Sequence, residues 1–102
     1  MNLNEYQTKA MKTALPSALN PAYMIANLAS EAGEVAGKYA KWIRDGVQDE
    51  EALKKETGDV LWQVAGLAYV MGWTLDEVAC LNLDKLTSRE QRNALSGSGD
   101  ER

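Results

Sequence analysis

No proline follows Pro21 in this chain of 102 residues, no run alternates apolar and polar side chains as a half-buried strand does, and Ala, Leu, Glu and Lys recur throughout. Those features direct the backbone towards helices. Start and stop signals divide it into four. The first helix is expected from about Asn4 to Ala14, with Asn4 as cap and Leu15-Pro16-Ser17 as its end. The second opens on Asn20 as cap, with Pro21 at the first helical position, and continues to Arg44, where Asp45-Gly46 stops it. A third begins among Asp49-Glu50-Glu51, whose charges suit a helix N-terminus, and ends at Gly72. The fourth opens with Thr74 and Glu77 in the Thr-x-x-Glu pattern of a capping box and runs to about Arg92. The fold class is therefore all-α: a single four-helix domain over residues 1–95 on an antiparallel helix-hairpin core, with a glycine-rich C-terminal tail over residues 96–102.

Composition narrows the function classes. A net charge of −4 disfavours non-specific nucleic-acid binding, which needs a surplus of Lys and Arg facing the phosphates. The apolar stretch from Val60 to Thr74 carries no charge but is too short to span a membrane. One cysteine, Cys80, forms no internal disulfide, and the N-terminus lacks a secretory pattern; the expected compartment is the cytoplasm. With no histidine, serine–histidine hydrolysis and histidine-anchored zinc or di-iron sites are excluded, and Cys80 reads as a small core residue rather than a nucleophile. The three Trp and four Tyr read mostly as core.

Two pairs of carboxylates, Glu31/Glu34 and Glu56/Asp59, stand at the same i, i+3 spacing, so each pair shares a helix face. At about 1.5 Å rise per residue, Glu34 and Asp59 lie roughly 15 Å from the connection between helices two and three, which brings the pairs to one level. Apolar neighbours continue the stripe on which the acids lie: Leu28 and Val35 on helix two, Val60, Leu67 and Val70 with Gln63 on helix three. Gly33, Gly37 and Gly58 beside the acids are expected to let helices approach closely. Four converging carboxylates repel one another unless something positive joins them. A divalent cation is the economical partner, and Mg²⁺ or Mn²⁺ suits all-oxygen ligands. Ion pairs from Lys38 to Glu34 and from Lys55 to Glu56 are the competing arrangement.

Asn82, Lys85, Arg89 and Arg92 form one face of helix four, opposite Val78, Leu83 and Leu86 as core candidates. Alone, such a stripe is most simply solvated charge at a helix C-terminus. Beside an acidic cation site it also matches what a nucleoside triphosphate requires, with Lys and Arg taking the phosphate charge that the metal leaves. Lys38 is a further phosphate candidate from helix geometry.

Glu31-Ala-Gly-Glu34 and, 21 residues later, Glu56-Thr-Gly-Asp59 resemble the E-x-x-E…E-x-x-D signature of MazG-like nucleoside triphosphate pyrophosphohydrolases. Glu5-Tyr6-Gln7, Lys41 to Gly46, Gly58 to Trp62, Asn82 to Arg89 and Gly97 to Asp100 extend the likeness over nearly the whole chain. The resemblance implies Mg²⁺ held by Glu31, Glu34, Glu56 and Asp59, and hydrolysis of an NTP or dNTP to the monophosphate and pyrophosphate. It also implies phosphate contacts from Lys85 and Arg89, with Asn82 a weaker candidate, in a homodimer or homotetramer whose sites are completed across the interface. The alternatives are a narrow-specificity dUTPase- or dCTPase-like nucleotidase and a non-catalytic helical interaction module.

Overall fold

The computed structural model describes all 102 residues and contains helices α1 (Leu3–Met11), α2 (Pro21–Asp45), α3 (Glu50–Val70) and α4 (Leu75–Gln91), with a 3₁₀ turn at Pro16–Ala18 and no strand. Local chemistry accounts for the boundaries. The Asn20 side chain accepts from the backbone of Tyr23, Asp49 accepts from Ala52, and Thr74 and Glu77 close a reciprocal capping box. Gly46 ends α2 at φ +71°, in the left-handed region that a side chain disfavours. The first helix departs from expectation, because two asparagines compete for its start. Asn2 caps α1 by accepting from Glu5 N at 2.9 Å, whereas Asn4 reaches across the fold to accept from Asp76 N at 2.9 Å, in the first turn of α4.

α2 and α3 form the antiparallel hairpin, α1 lies across α3, and α4 turns away from α3 by 103° while packing on α1 and α3. Gln7 sets that corner. Its amide donates to the carbonyls of Ala65 (3.3 Å) and Trp73 (3.1 Å), and its oxygen accepts from Leu75 N (2.9 Å), so one buried side chain ties α1 to α3 and to the start of α4. Trp62 makes the second tie, its indole N–H donating to Ala10 O at 3.2 Å and Thr13 Oγ1 at 2.9 Å.

The hairpin closes over Gly66. A Cβ built there would lie 2.6 Å from Sδ and Cε of Met24, which is 0% exposed. Close helix approach therefore depends on Gly66; at Gly33, Gly37 and Gly58 an added Cβ meets nothing within 4 Å. The buried core is small, with Met11, Ala18, Met24, Ala65, Ala68 and Leu75 as its apolar members. Of the expected aromatic core, Trp42, Trp62 and Tyr6 are half-buried, while Trp73, Tyr23, Tyr39 and Tyr69 are exposed. Leu83 and Leu86 are exposed as well, because α4 leaves the hairpin at too steep an angle to be covered by it. Cys80 is exposed, not core. The neighbouring charge of Asp76 pushes its thiol above the usual value, the opposite of what activates a nucleophile. A Cα radius of gyration of 16.2 Å exceeds the roughly 13 Å of a compact 100-residue domain. No single helix is long and apolar enough to cross a membrane.

Candidate active site

Facing pairs step evenly along the hairpin: Met24 with Gly66, then Asn27 with Gln63, then Glu31 with Asp59. Each step is about one helical turn. Polarity rises along it, from a dry thioether contact, through two amides, to carboxylates. Glu31, Glu56 and Asp59 each offer an oxygen, and these oxygens all lie within 4.8 Å of one another. Glu31 and Glu56 are half-buried and Asp59 is exposed, so the cluster opens to solvent on one side. Glu34 remains outside this group and is exposed.

Continuing the same steps sets Glu34 level with Glu56, so height alone does not separate it from the group. A hairpin symmetric about its connection would set Glu34 level with Asp59, yet Glu31 takes that place, a slip of about one turn. α2 continues past the start of α3, and the four residues Val47 to Glu50 bring the chain back with only the last of them helical. Extended residues advance about 3.3 Å each against 1.5 Å in a helix, so a short connection can recover a full turn of offset.

The competing ion pairs do not form. The structure's four salt bridges are Arg44–Asp45, Lys54–Glu51, Lys85–Asp100 and Arg89–Asp100, none of them to an acid of the cluster. Lys38 lies two turns along α2 from Glu31, where with Lys41, Trp42 and Asp45 it lines a separate hollow. The donor set therefore fits a hard divalent cation: anionic oxygens only, close enough to share one ion, with no internal cation in place.

Three neighbours escaped the sequence reading as parts of this site. Tyr6, from α1, stands near enough for Asp59 to matter: burial first, and the Asp59 charge second, push its hydroxyl above the usual value. Asn27 donates to Gln63 Oε1 at 2.8 Å and reaches Glu31 Oε1 at 3.5 Å. Gln63, 1% exposed, donates in turn to Met24 O at 3.4 Å and Met24 Sδ at 3.0 Å. The signal for the last two was present in the sequence, since Asn27 is four residues before Glu31 and Gln63 four after Asp59.

The basic face of α4 lies elsewhere in the chain. Taking about 1.5 Å per residue along each helix and the 103° bend, Lys85 and Asp59 are on the order of 20 Å apart. The tail folds back onto this face. Asp100 accepts from Lys85 Nζ at 3.1 Å and from Arg89 Nη2 at 3.3 Å, and Arg89 also donates to the carbonyls of Gly99 and Asp100. Those two cations, Lys85 first, hold the Asp100 carboxyl below the ordinary aspartate range. Arg89 is only 4% exposed, its Nε without a partner, while Asn82 is exposed and takes no part in the contact. The tail residues 96–102 are thus held against α4, with Gly97 and Gly99 at positive φ permitting the turns. Lys85 and Arg89 converge on one oxygen, Asp100 Oδ1, and so form an oxyanion grip that is here filled by a carboxylate of the same chain.

The family model described as the MazG nucleotide pyrophosphohydrolase domain matches residues 19–93, the span that holds α2, α3 and α4. The chain is 39% identical over 114 aligned positions to the "Gene 37 protein" of Mycobacterium phage L5, with the whole of both chains covered. No solved structure matches it. An all-helical fold, a carboxylate cluster on two antiparallel helices and a family match over most of the length lead to one statement: the chain belongs to the MazG nucleotide pyrophosphohydrolase domain family.

Proposed function

We propose that this protein hydrolyses nucleoside or deoxynucleoside triphosphates to the monophosphate and pyrophosphate, using Mg²⁺ or Mn²⁺. The observation that carries the reading is the convergence of Glu31, Glu56 and Asp59 with no lysine or arginine paired to them. Those three would hold the cation, with Glu34 the nearest further carboxylate on the same helix. When bound, the metal supplies positive charge to the triphosphate oxygens and acidifies a water. A carboxylate of the cluster takes that water's proton as the water attacks the α-phosphorus. The bond from the α-phosphorus to the bridging oxygen breaks, and pyrophosphate departs.

Lys85 and Arg89 bind the leaving pyrophosphate. Because they stand on the order of 20 Å from the acids of their own chain by helix geometry, they serve the site of a second copy. Support comes from the extended shape and from exposed Ile25, Tyr39, Ile43, Leu61, Tyr69 and Leu81, which association would cover. A homodimer is the smallest assembly that joins the two halves.

The test is pyrophosphate release from a panel of common NTPs and dNTPs with Mg²⁺. Glu31→Gln and Asp59→Asn are expected to retain helical circular dichroism and lose activity at least 100-fold, the scale of removing a catalytic electrostatic group. Undiminished turnover refutes the assignment. Mixing Glu31→Gln chains with Lys85→Ala chains tests the shared site, since one site of each mixed dimer then has acids and bases intact. Activity returning on mixing supports the trans arrangement; a mixture as inactive as its parts rejects it.

A further inference from the structure

We propose that Asn27 and Gln63 are positioning residues for Glu31, forming a one-way hydrogen-bond relay that starts at a backbone carbonyl in the core and ends at the carboxylate. The inference rests on the reading of Glu31, Glu56 and Asp59 as a cation site. Its starting point is a group that permits only one orientation. Met24 O can only accept, so the Gln63 side chain, 1% exposed, turns its NH₂ towards it, at 3.4 Å, with Met24 Sδ at 3.0 Å as a second acceptor. Gln63 Oε1 is then the end that faces Asn27, and an oxygen can only accept. Asn27 must therefore present its own NH₂, which it does at 2.8 Å. That choice directs the second N–H of the same group to Glu31 Oε1, 3.5 Å away. Each link is forced by the one before it.

The consequence for the site is an asymmetric Glu31. One oxygen is engaged by a neutral donor that restrains its rotation; the other is left for a ligand. Asp59 and Glu56 have no such support among the hydrogen bonds of the structure, so Glu31 is the carboxylate whose direction the fold specifies in advance. The relay also explains why two amides occupy a layer between apolar Met24/Gly66 and the acids, where leucine would bury more apolar area. Neither amide touches the cation in this scheme. Gln63 acts only through Asn27.

The experiment titrates Mn²⁺ alone into the full chain by calorimetry, comparing wild type, Asn27→Leu, Gln63→Leu and the double variant, with circular dichroism as the check on folding. Each single variant is expected to bind Mn²⁺ about 10-fold more weakly, the usual scale for losing a group that orients a ligand. The double variant is expected to be no weaker than Asn27→Leu, because Gln63 has nothing left to act on. A general loss of packing would instead lower affinity at the two positions independently. Folded single variants with wild-type affinity, or losses that multiply in the double variant, overturn the relay. If leucine at position 27 prevents folding, Asn27→Ala removes the amide without adding bulk and carries the same expectation. Wild type that takes up no Mn²⁺ overturns the cation site itself and the relay with it, an outcome distinct from failure of the relay alone.

Discussion

Three carboxylates within 4.8 Å of one another should make the metal-free protein less stable than a variant with one charge removed. Glu56→Gln is the clean perturbation, because Glu56 is half-buried and makes no side-chain hydrogen bond that the change would break. At that separation a pair of unit charges in a medium close to water costs roughly 0.9 kcal/mol. Neutralising one of three relieves two of the three pairs, and screening at about 0.1 M salt reduces the sum to roughly 1 kcal/mol. For a domain of about 100 residues this corresponds to a rise of about 4 °C in melting temperature. With Mg²⁺ the order should reverse: a cation at 100 times its dissociation constant stabilises wild type by about 2.7 kcal/mol, and the variant gains far less. The assay is thermal melting by circular dichroism at matched protomer concentration, in EDTA and in Mg²⁺. Crossing of the two proteins' melting temperatures between those conditions is the expected result. A Glu56→Gln variant that melts below wild type in EDTA would refute the argument that the acids repel and await a cation.

Two other outcomes follow from particular contacts. Gly66→Val places carbon where Sδ and Cε of Met24 already lie, and should cost about 1–3 kcal/mol in urea unfolding, whereas Gly58→Ala, facing open space, should gain about 0.5–1 kcal/mol. Equal effects at the two glycines would contradict the packing described. The Asp100 contact has a definite pH sense: a carboxyl held below its ordinary value of 3.8 contributes stability above that value and loses it as pH falls further. Amide NMR signals of Gly97 and Gly99 should therefore be invariant from pH 7 to about 5 and move towards unfolded-chain values below about pH 4, while Lys85→Ala should shift them at neutral pH. Signals unchanged down to pH 2.5 would show that Asp100 does not hold the tail.

How much of this was legible beforehand depends on distance along the chain. The helices, and the caps at Asn20, Asp49 and Thr74, were readable because each cap bonds a backbone group three residues away. Asn2 and Asn4 mark the limit of such reading. Both are good caps, and only the position of α4 assigns Asn4 to a helix more than seventy residues distant. The acidic motif was equally local, since i, i+3 spacing puts two carboxylates on one face whatever surrounds them. Local spacing could not say which acids of one helix meet those of the other.

The amino-acid sequence alone determined that the chain is helical, where most of its helices start and stop, and that its chemistry centres on paired carboxylates without histidine, because propensity, capping and side-chain type act over a few residues. Only the tertiary structure decided that Glu31 rather than Glu34 joins Glu56 and Asp59, that Gly66 rather than Gly33, Gly37 or Gly58 is the glycine with no room for a side chain, that Asn27 and Gln63 stand in line with Glu31, and that Lys85 and Arg89 lie in contact with Asp100. Most of those turn on register and crossing angle. They are set by non-local packing, where a shift of about one turn, 5.4 Å, exchanges one side chain for the next on the same face.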